Sequence, residues 1–203
     1  DIVFLAVKPV YYQEVIDEIK SVVNENQIII SVAAGKSVEW VENAFGGEKK
    51  IVRIMPNTPA LVGEAVTAIC PNKNVSDEEK KVVSELLSSF GIAQFINENI
   101  MDAVIAVSGS SPAYVYMFIE ALADSAVKYG IKRDDAYKLV AQTVLGSAKM
   151  VLETNEHPGV LKDKVCSPGG TTIAGVAALE EHNFRNAVIK ATDACYDKCH
   201  NIK

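Results

Sequence analysis

Short apolar runs, broken by proline, glycine and asparagine, divide the first hundred residues. Ile2–Val7 is continuously apolar rather than alternating, the pattern of a strand buried on both faces of a parallel sheet. Lys8-Pro9 ends it. Val10, Val15, Ile16, Ile19, Val22 and Val23 then recur at helical spacing and predict an amphipathic helix over Val10–Val23. Gln27–Val32 reads as a second buried strand closed by Ala33-Ala34-Gly35. A short helix follows over Ser37–Phe45, with Glu39 and Glu42 near its start, and Ile51–Met55 is a third strand. Strand, helix, strand, helix, strand is the order of a doubly wound α/β sheet. Met55-Pro56-Asn57-Thr58-Pro59-Ala60 is a stiff loop at the carboxyl end of that third strand. Glu64–Cys70 predicts a further strand, Ser76 and Asp77 cap a charged helix to about Ser89, and Gly91–Ile96 is an edge strand.

From about Glu98 the period-two pattern stops and everything reads as helix. Ile100–Val107 leads into Ser108-Gly109-Ser110-Ser111-Pro112; helices follow over Ala113–Tyr129, closed by Gly130, and over Asp134–Leu152. Tyr137–Leu152 is apolar on more than one face and carries small residues at Ala141, Gly146, Ser147 and Ala148. A helix of that kind needs cover on several sides, which predicts a subunit interface, with a compact monomeric bundle as the alternative. The expected organisation is α/β plus all-α: a partial Rossmann-type parallel sheet domain over residues 1–98, then a helical dimerisation domain over 99–203.

Near the end stands Cys166-Ser167-Pro168-Gly169-Gly170-Thr171-Thr172-Ile173. Ser167 before Pro168 predicts an N-cap and a first-turn proline, with Ile173–Leu179 as the helix. Two glycines in a first turn cost about 1 kcal/mol each against alanine, which suggests close approach to the backbone. Unpaired N–H groups at the positive end of a helix suit a small anion such as a carboxylate, and the hydroxyls of Thr171 and Thr172 follow at once. The plainer reading is a capped helix whose glycines relieve crowding.

Composition narrows the classes. The chain has 203 residues, 49% apolar and 23% charged, with a net charge of −6, so it is a globular protein without a nucleic-acid-binding surface. Its apolar runs are too short to span a bilayer, and no signal-peptide layout is present. Four cysteines in a chain of this length give no disulfide framework, which points to the cytoplasm. Cys195, Cys199 and His200 fall together on a helix, but without a second ligand pair a metal there is disfavoured.

Ligands of open α/β sheets bind beyond the carboxyl ends of the strands. Three loops stand there: Ala6-Val7-Lys8-Pro9, Ser31-Val32-Ala33-Ala34-Gly35 and Met55-Pro56-Asn57-Thr58-Pro59. Lys8 is placed to meet a phosphate or ribose, or is a solvated strand-end lysine. Asn57 bonds a ligand amide or ribose, or braces its own turn. No histidine lies on these loops; there is no nucleophile elbow, no H-E-x-x-H, no phosphate-binding G-x-x-x-x-G-K-[ST] and no G-x-G-x-x-G. Glu120 and Asp124, one turn apart, read as solvated or interface groups rather than an acid/base pair. Chemistry on such a chain leans on a cofactor and on positioning.

Four segments carry a resemblance: A-V-K-P (Ala6–Pro9), R-I-M-P-N-T-P-A (Arg53–Ala60), S-G-S-S-P-A-Y (Ser108–Tyr114) and S-P-G-G-T-T-I-A-G-V (Ser167–Val176). In this order, over essentially the whole chain, they resemble the pyrroline-5-carboxylate reductase family. The resemblance implies an oxidoreductase that reduces 1-pyrroline-5-carboxylate to L-proline, the last step of proline biosynthesis, with NADPH, or NADH as the alternative. It implies a Rossmann domain followed by helices that interlock in a homodimer, in some members part of a larger ring, with the active site at the dimer interface. Carried onto this sequence, Ala6, Val7, Lys8, Pro9, Ala33, Ala34 and Gly35 line the cofactor, and Met55, Pro56, Asn57 and Thr58 lie near the nicotinamide. Ser167, Gly169, Gly170 and Thr171 hold the substrate carboxylate, and Thr172 bonds the ring nitrogen as the catalytic residue.

The resemblance also implies that the first strand and glycine-rich turn of a Rossmann domain precede Asp1. An N-terminally truncated, inactive oligomeric core is therefore an alternative expectation. A 3-hydroxyacid dehydrogenase of related plan is disfavoured, because Ser110–Lys128 has no lysine before its far end and no asparagine.

Overall fold

The computed structural model describes residues 1–201. Two compact units make up the chain. Asp1–Pro112, joined by residues 192–201, forms one, and Ala113–Ala191 the other.

The first unit is built on five strands, β1 (Ile2–Leu5), β2 (Ile28–Ser31), β3 (Lys50–Met55), β4 (Ala65–Pro71) and β5 (Gly91–Phe95), in the order β1-β2-β3-β4-β5. β1, β2 and β3 pair in parallel through α1 (Tyr12–Ile19) and α2 (Val38–Phe45). β4 runs antiparallel to β3, because the intervening segment holds only a 3-10 turn over Thr58–Val62, too short for a crossover helix. α3 (Asp77–Ser88) supplies that crossover between β4 and β5, which are parallel again.

The pleat sends alternate side chains to opposite faces, and each face has its own core. Leu5, Ile29, Ile51, Met55, Ala68 and Cys70 pack with Tyr12, Ile16, Val41 and Phe45. Ile28, Ile30, Val52, Ile54 and Ile69 pack with Val83 and Leu87 of α3. Helices on both faces make the doubly wound arrangement.

Local chemistry sets the helix ends. Ser37 accepts from the Trp40 amide at the start of α2, and Gly46 closes it at φ +79°. Ser76 and Glu79 form a capping box at the start of α3.

Two sequence expectations need correction here. β1 is not buried on both faces: Phe4 is 45% exposed. It lies on the α3 face, where α3 links β4 and β5 at the opposite edge of the sheet, and among the described residues of β1 only Ile2 packs against the core on that face. The predicted helix Val10–Val23 is also shorter, with Pro9–Tyr11 forming a 3-10 turn before α1 and Val10 and Val22 exposed.

The strands end at Phe95, yet the chain stays with this unit to Pro112. Met101 of α4 (Met101–Val104) explains why: it is fully buried among Tyr12, Ile16 and Ile29. α4 widens into a π turn over Ile105–Gly109 before α5 (Ser111–Lys128) begins. The last helix, α9 (Phe184–His200), returns to this unit, with Cys195 Sγ 3.1 Å from Ser110 Oγ and His200 Nδ1 3.3 Å from Asp102. The four cysteines are free, and among the described residues no three metal-binding side chains stand together.

The second unit holds most of α5, then α6 (Arg133–Thr154), α7 (Pro158–Val165), α8 (Thr171–Glu181) and the start of α9. Arg133 pairs with Asp124 at 2.5 Å, and the rings of Phe118 and Phe184 lie 6.2 Å apart. Among the described residues of this unit only Ala123 and Ala136 are buried; Met117, Leu139, Met150, Leu152 and Ile173 are exposed. These helices expose far more apolar surface than a solvated bundle does. No helix among the described residues is long and apolar enough to cross a membrane.

Candidate active site

The carboxyl ends of β1, β2 and β3 present the three loops marked by the sequence. Ala6, Val7, Lys8 and Pro9 are exposed after β1. After β2, Ala33 is buried while Ala34 and Gly35 are exposed, and Gly35 turns at φ +75°, a conformation that favours glycine. After β3, Met55 is buried, Pro56 and Asn57 are half-buried, and Thr58 is exposed. All eleven thus come to one end of one sheet, and the small side chains there fit close approach by a flat ligand such as a nicotinamide nucleotide.

Asn57 does more than brace its own turn. Its Nδ2 donates to the Ser108 carbonyl at 3.2 Å, in the π turn, and its Oδ1 accepts from the Val66 amide at 2.9 Å. One amide proton and one lone pair remain for a ligand.

The second cluster lies in the other unit, at the start of α8. Ser167 is not the N-cap. It opens a turn in which the Gly170 amide donates to the Ser167 carbonyl at 3.0 Å, with Pro168 second and Gly169 third at φ +67°, the pattern of a type II turn. Gly170 is the N-cap, and Thr171 and Thr172 begin the helix. The glycines therefore precede the first turn, where they carry no helix-propensity cost. Gly169 is there for its left-handed backbone. Gly170 is there because a Cβ would lie 2.3 Å from Ser167 Oγ and 3.1 Å from Ser167 O.

No side chain caps α8, so its first amides point outward unpaired. Elsewhere the helix hydroxyls fold back: Thr143, Ser147 and Thr154 each donate to the carbonyl one turn before. Thr171 and Thr172, in a first turn, have no helical carbonyl behind them. Thr171 is exposed and Thr172 half-buried. The cluster joins outward amides and two hydroxyls, a donor set for a carboxylate with a polar atom beside it.

No group with a shifted acidity belongs to either cluster, though Lys162, its pKa raised chiefly by its bond to Asp163, stands on the helix just before the second. Burial pushes the thiols of Cys70 and Cys199 up, and Lys50 holds the Glu79 carboxyl below its ordinary value. Of the histidines, His157 caps α7 by accepting from the Gly159 amide.

Sequence reasoning missed two side chains that support the loops. Glu98 Oε1 accepts from Val38 N, at the start of α2, and from Arg53 Nη1, both at 2.8 Å. Tyr12 bonds the ends of β1 and β2. Their partners are far away in the chain, so local patterning carries no signal beyond a tyrosine standing at an apolar helix position.

Known proteins share this plan. Residues 98–202 match the family described as pyrroline-5-carboxylate reductase dimerisation, and residues 1–35 match that of NADP oxidoreductase, coenzyme F420-dependent. The Escherichia coli (strain K12) pyrroline-5-carboxylate reductase is 52% identical over 202 residues, covering 100% of this chain and 75% of its own length. The crystal structure of Plasmodium falciparum pyrroline carboxylate reductase with NADP bound superposes with a TM-score of 0.90 at 41% identity, covering 100% of this chain and 77% of that one. The Coxiella burnetii pyrroline-5-carboxylate reductase superposes at 0.93 with 35% identity, covering 100% and 76%. Matched along its whole length by such relatives, the chain belongs to the pyrroline-5-carboxylate reductase family.

Proposed function

We propose that this chain reduces 1-pyrroline-5-carboxylate to L-proline with a nicotinamide cofactor, and that the cofactor is NADPH. The observation that carries the reading is the start of α8, where a type II turn delivers uncapped amides beside two hydroxyls. The Gly169 and Thr171 amides, the Ser167 hydroxyl and the positive helix end hold the substrate carboxylate, at a corner whose Gly170 amide closes the turn on the Ser167 carbonyl. This fixes the ring and presents one of its faces. The Thr172 hydroxyl bonds the ring nitrogen and keeps its proton in place, so that the C=N carbon stays electrophilic while the secondary amine forms.

Ala6–Pro9, Ala33–Gly35 and Met55–Thr58 receive the cofactor. When bound, its dihydronicotinamide supplies a hydride to the C=N carbon. Residues 1–98 serve the cofactor and 99–203 the substrate and a homodimer, whose formation covers the apolar helices of the second unit. Four free thiols suit the cytoplasm.

The test is to incubate the protein with pyrroline-5-carboxylate and NADPH or NADH and to follow proline formation. Proline is expected with both cofactors and faster with NADPH. No proline with either would end the reading, and a faster rate with NADH would reverse the cofactor preference alone.

A further inference from the structure

Tyr12 opens α1 and is fully buried, its ring centroid 6.5 Å from that of Trp40. Its hydroxyl donates to the Leu5 carbonyl at 2.6 Å. It accepts from the Ser31 hydroxyl at 3.2 Å and from the Val32 amide at 3.1 Å. One outgoing and two incoming bonds fill the capacity of a hydroxyl.

The three partners share one location. Leu5 and Ser31 face each other as the last paired register of β1 and β2, and Val32 is the next residue. Immediately beyond, Ala6 and Ala33 begin two of the cofactor loops. The Leu5 carbonyl and the Val32 amide meet through the Tyr12 hydroxyl instead of extending the ladder between themselves. A phenylalanine would fill the same core volume, and a buried hydroxyl is a liability unless bonded. Here every bond it makes goes to the end of a neighbouring strand, and none goes to α1.

We propose that Tyr12 is a positioning residue for the nicotinamide cofactor. Its hydroxyl is a fixed spacer between the carboxyl ends of β1 and β2, and it sets the separation of Ala6–Pro9 from Ala33–Gly35 without touching the cofactor. This rests on the placing of the cofactor at these loops. Loss of the spacer lets the two loops drift, so cofactor binding weakens while the bound complex reacts as before.

Steady-state kinetics and NADPH fluorescence titration of the protein and its Tyr12→Phe variant test the idea. Tyr12→Phe is expected to raise the cofactor Kd and KM roughly five- to tenfold, with kcat within about twofold and the KM for pyrroline-5-carboxylate unchanged, the pattern of lost uniform binding. A lowered melting temperature with an unchanged cofactor KM would mean a packing role only and overturns the proposal. Ala34→Asp, on the exposed part of the second loop, separates the two claims. If it raises the cofactor KM and Tyr12→Phe does not, the spacer is wrong and the cofactor's place stands. If neither does, the cofactor lies elsewhere and both fall. Hydrogen exchange on the unaltered protein gives an arm that needs no folded variant. NADPH is expected to slow exchange at Val32 along with Ala33–Gly35, and slowing of the loop without Val32 overturns the spacer.

Discussion

Arg53 and Glu98 meet at 2.8 Å on the side of the sheet that carries α1 and α2, the arginine side chain only 6% exposed and the glutamate 31%. The same carboxylate oxygen takes the Val38 amide, so one charge joins β3, the start of α2 and the turn before α4. An acid facing a helix start is favourable by itself. Its larger effect is to pair a buried guanidinium. Glu98→Ala is expected to lower unfolding free energy by about 3–5 kcal/mol, because it strands Arg53 without a counter-charge. Urea unfolding of the variant measures this. A companion Arg53→Met/Glu98→Leu double variant should recover most of the loss. A single-variant effect below about 1 kcal/mol would show that water, rather than Glu98, compensates Arg53.

Thr172→Val keeps the shape of the side chain and removes its hydroxyl. If that hydroxyl holds the proton at the ring nitrogen, kcat should fall roughly ten- to hundredfold, the size of one well-placed hydrogen bond made in the transition state. The assembly state, read by light scattering, should not change. An unchanged kcat would take Thr172 out of the chemistry, whatever happened to KM.

How much of this the residues announced depends on how local each cause is. The continuous apolar run at β2, the short strand at β3 and the capping of α3 by Ser76 were legible, because each rests on neighbours within four positions. The reciprocal bond from Glu79 and the role of Ser37 as the cap rather than the first residue of α2 came from the structure. Phe4 was misread because a strand's own pattern does not say whether a helix lies over it. Ser167 was misread because serine-proline opens a turn as readily as a helix, and only the positive φ of Gly169 distinguishes the two. The loops at the strand ends were found through chain order. Tyr12 and Glu98, whose bonds tie the strand and helix ends there, were not, since most of their partners lie nineteen or more residues away.

Gly170→Ala is a test of the corner itself. The added methyl would stand 2.3 Å from Ser167 Oγ and 3.1 Å from Ser167 O. The hydroxyl is able to rotate away, but the carbonyl has to give, and with it the turn that directs the amides. A rise of roughly tenfold in the substrate KM is expected, at a cofactor KM unchanged within about twofold. Gly175→Ala, five residues further along α8, where a Cβ meets nothing within 4 Å among the described residues outside the helix's own backbone, is the control for a methyl added where there is room. Equal effects at both positions would argue against a carboxylate site at the corner.

The capping box of α3 predicts a limb in the acid stability profile. Lys50, 2.6 Å from Glu79, is the main cause that holds this carboxyl below its ordinary value of 4.5; the Ser76 amide adds to it, and burial opposes both. A carboxyl lowered in the folded state contributes stability that is present above its unfolded value and is lost as pH falls through the folded one. The melting temperature should therefore hold from neutrality to about pH 5 and then decline, with Glu79 one contributor. Glu79→Gln keeps an acceptor for the Ser76 amide and loses only the charge facing Lys50. It should flatten that decline and lower stability at pH 7 by about 0.2–1 kcal/mol, the scale of a partly exposed ion pair. An acid limb identical in the variant would remove Glu79 from it.

The helices of the second unit make the last prediction, about what covers them. Gly146 lies mid-helix in α6, and a Cβ built there meets nothing within 4 Å among the described residues outside the helix's own backbone. Within one copy, then, Gly146→Leu has room, and leucine is the better helix former by somewhat under 1 kcal/mol. A lone chain should tolerate it or gain stability. If a second copy packs on α6, the same side chain drives the two apart, since overpacking a closed interface costs about 1–3 kcal/mol. Sedimentation of the variant against protein concentration is expected to show a dimer dissociating at concentrations at which the parent remains intact, with far-UV circular dichroism unchanged. Unaltered association would place Gly146 on a free face and move the dimer contact elsewhere among these helices.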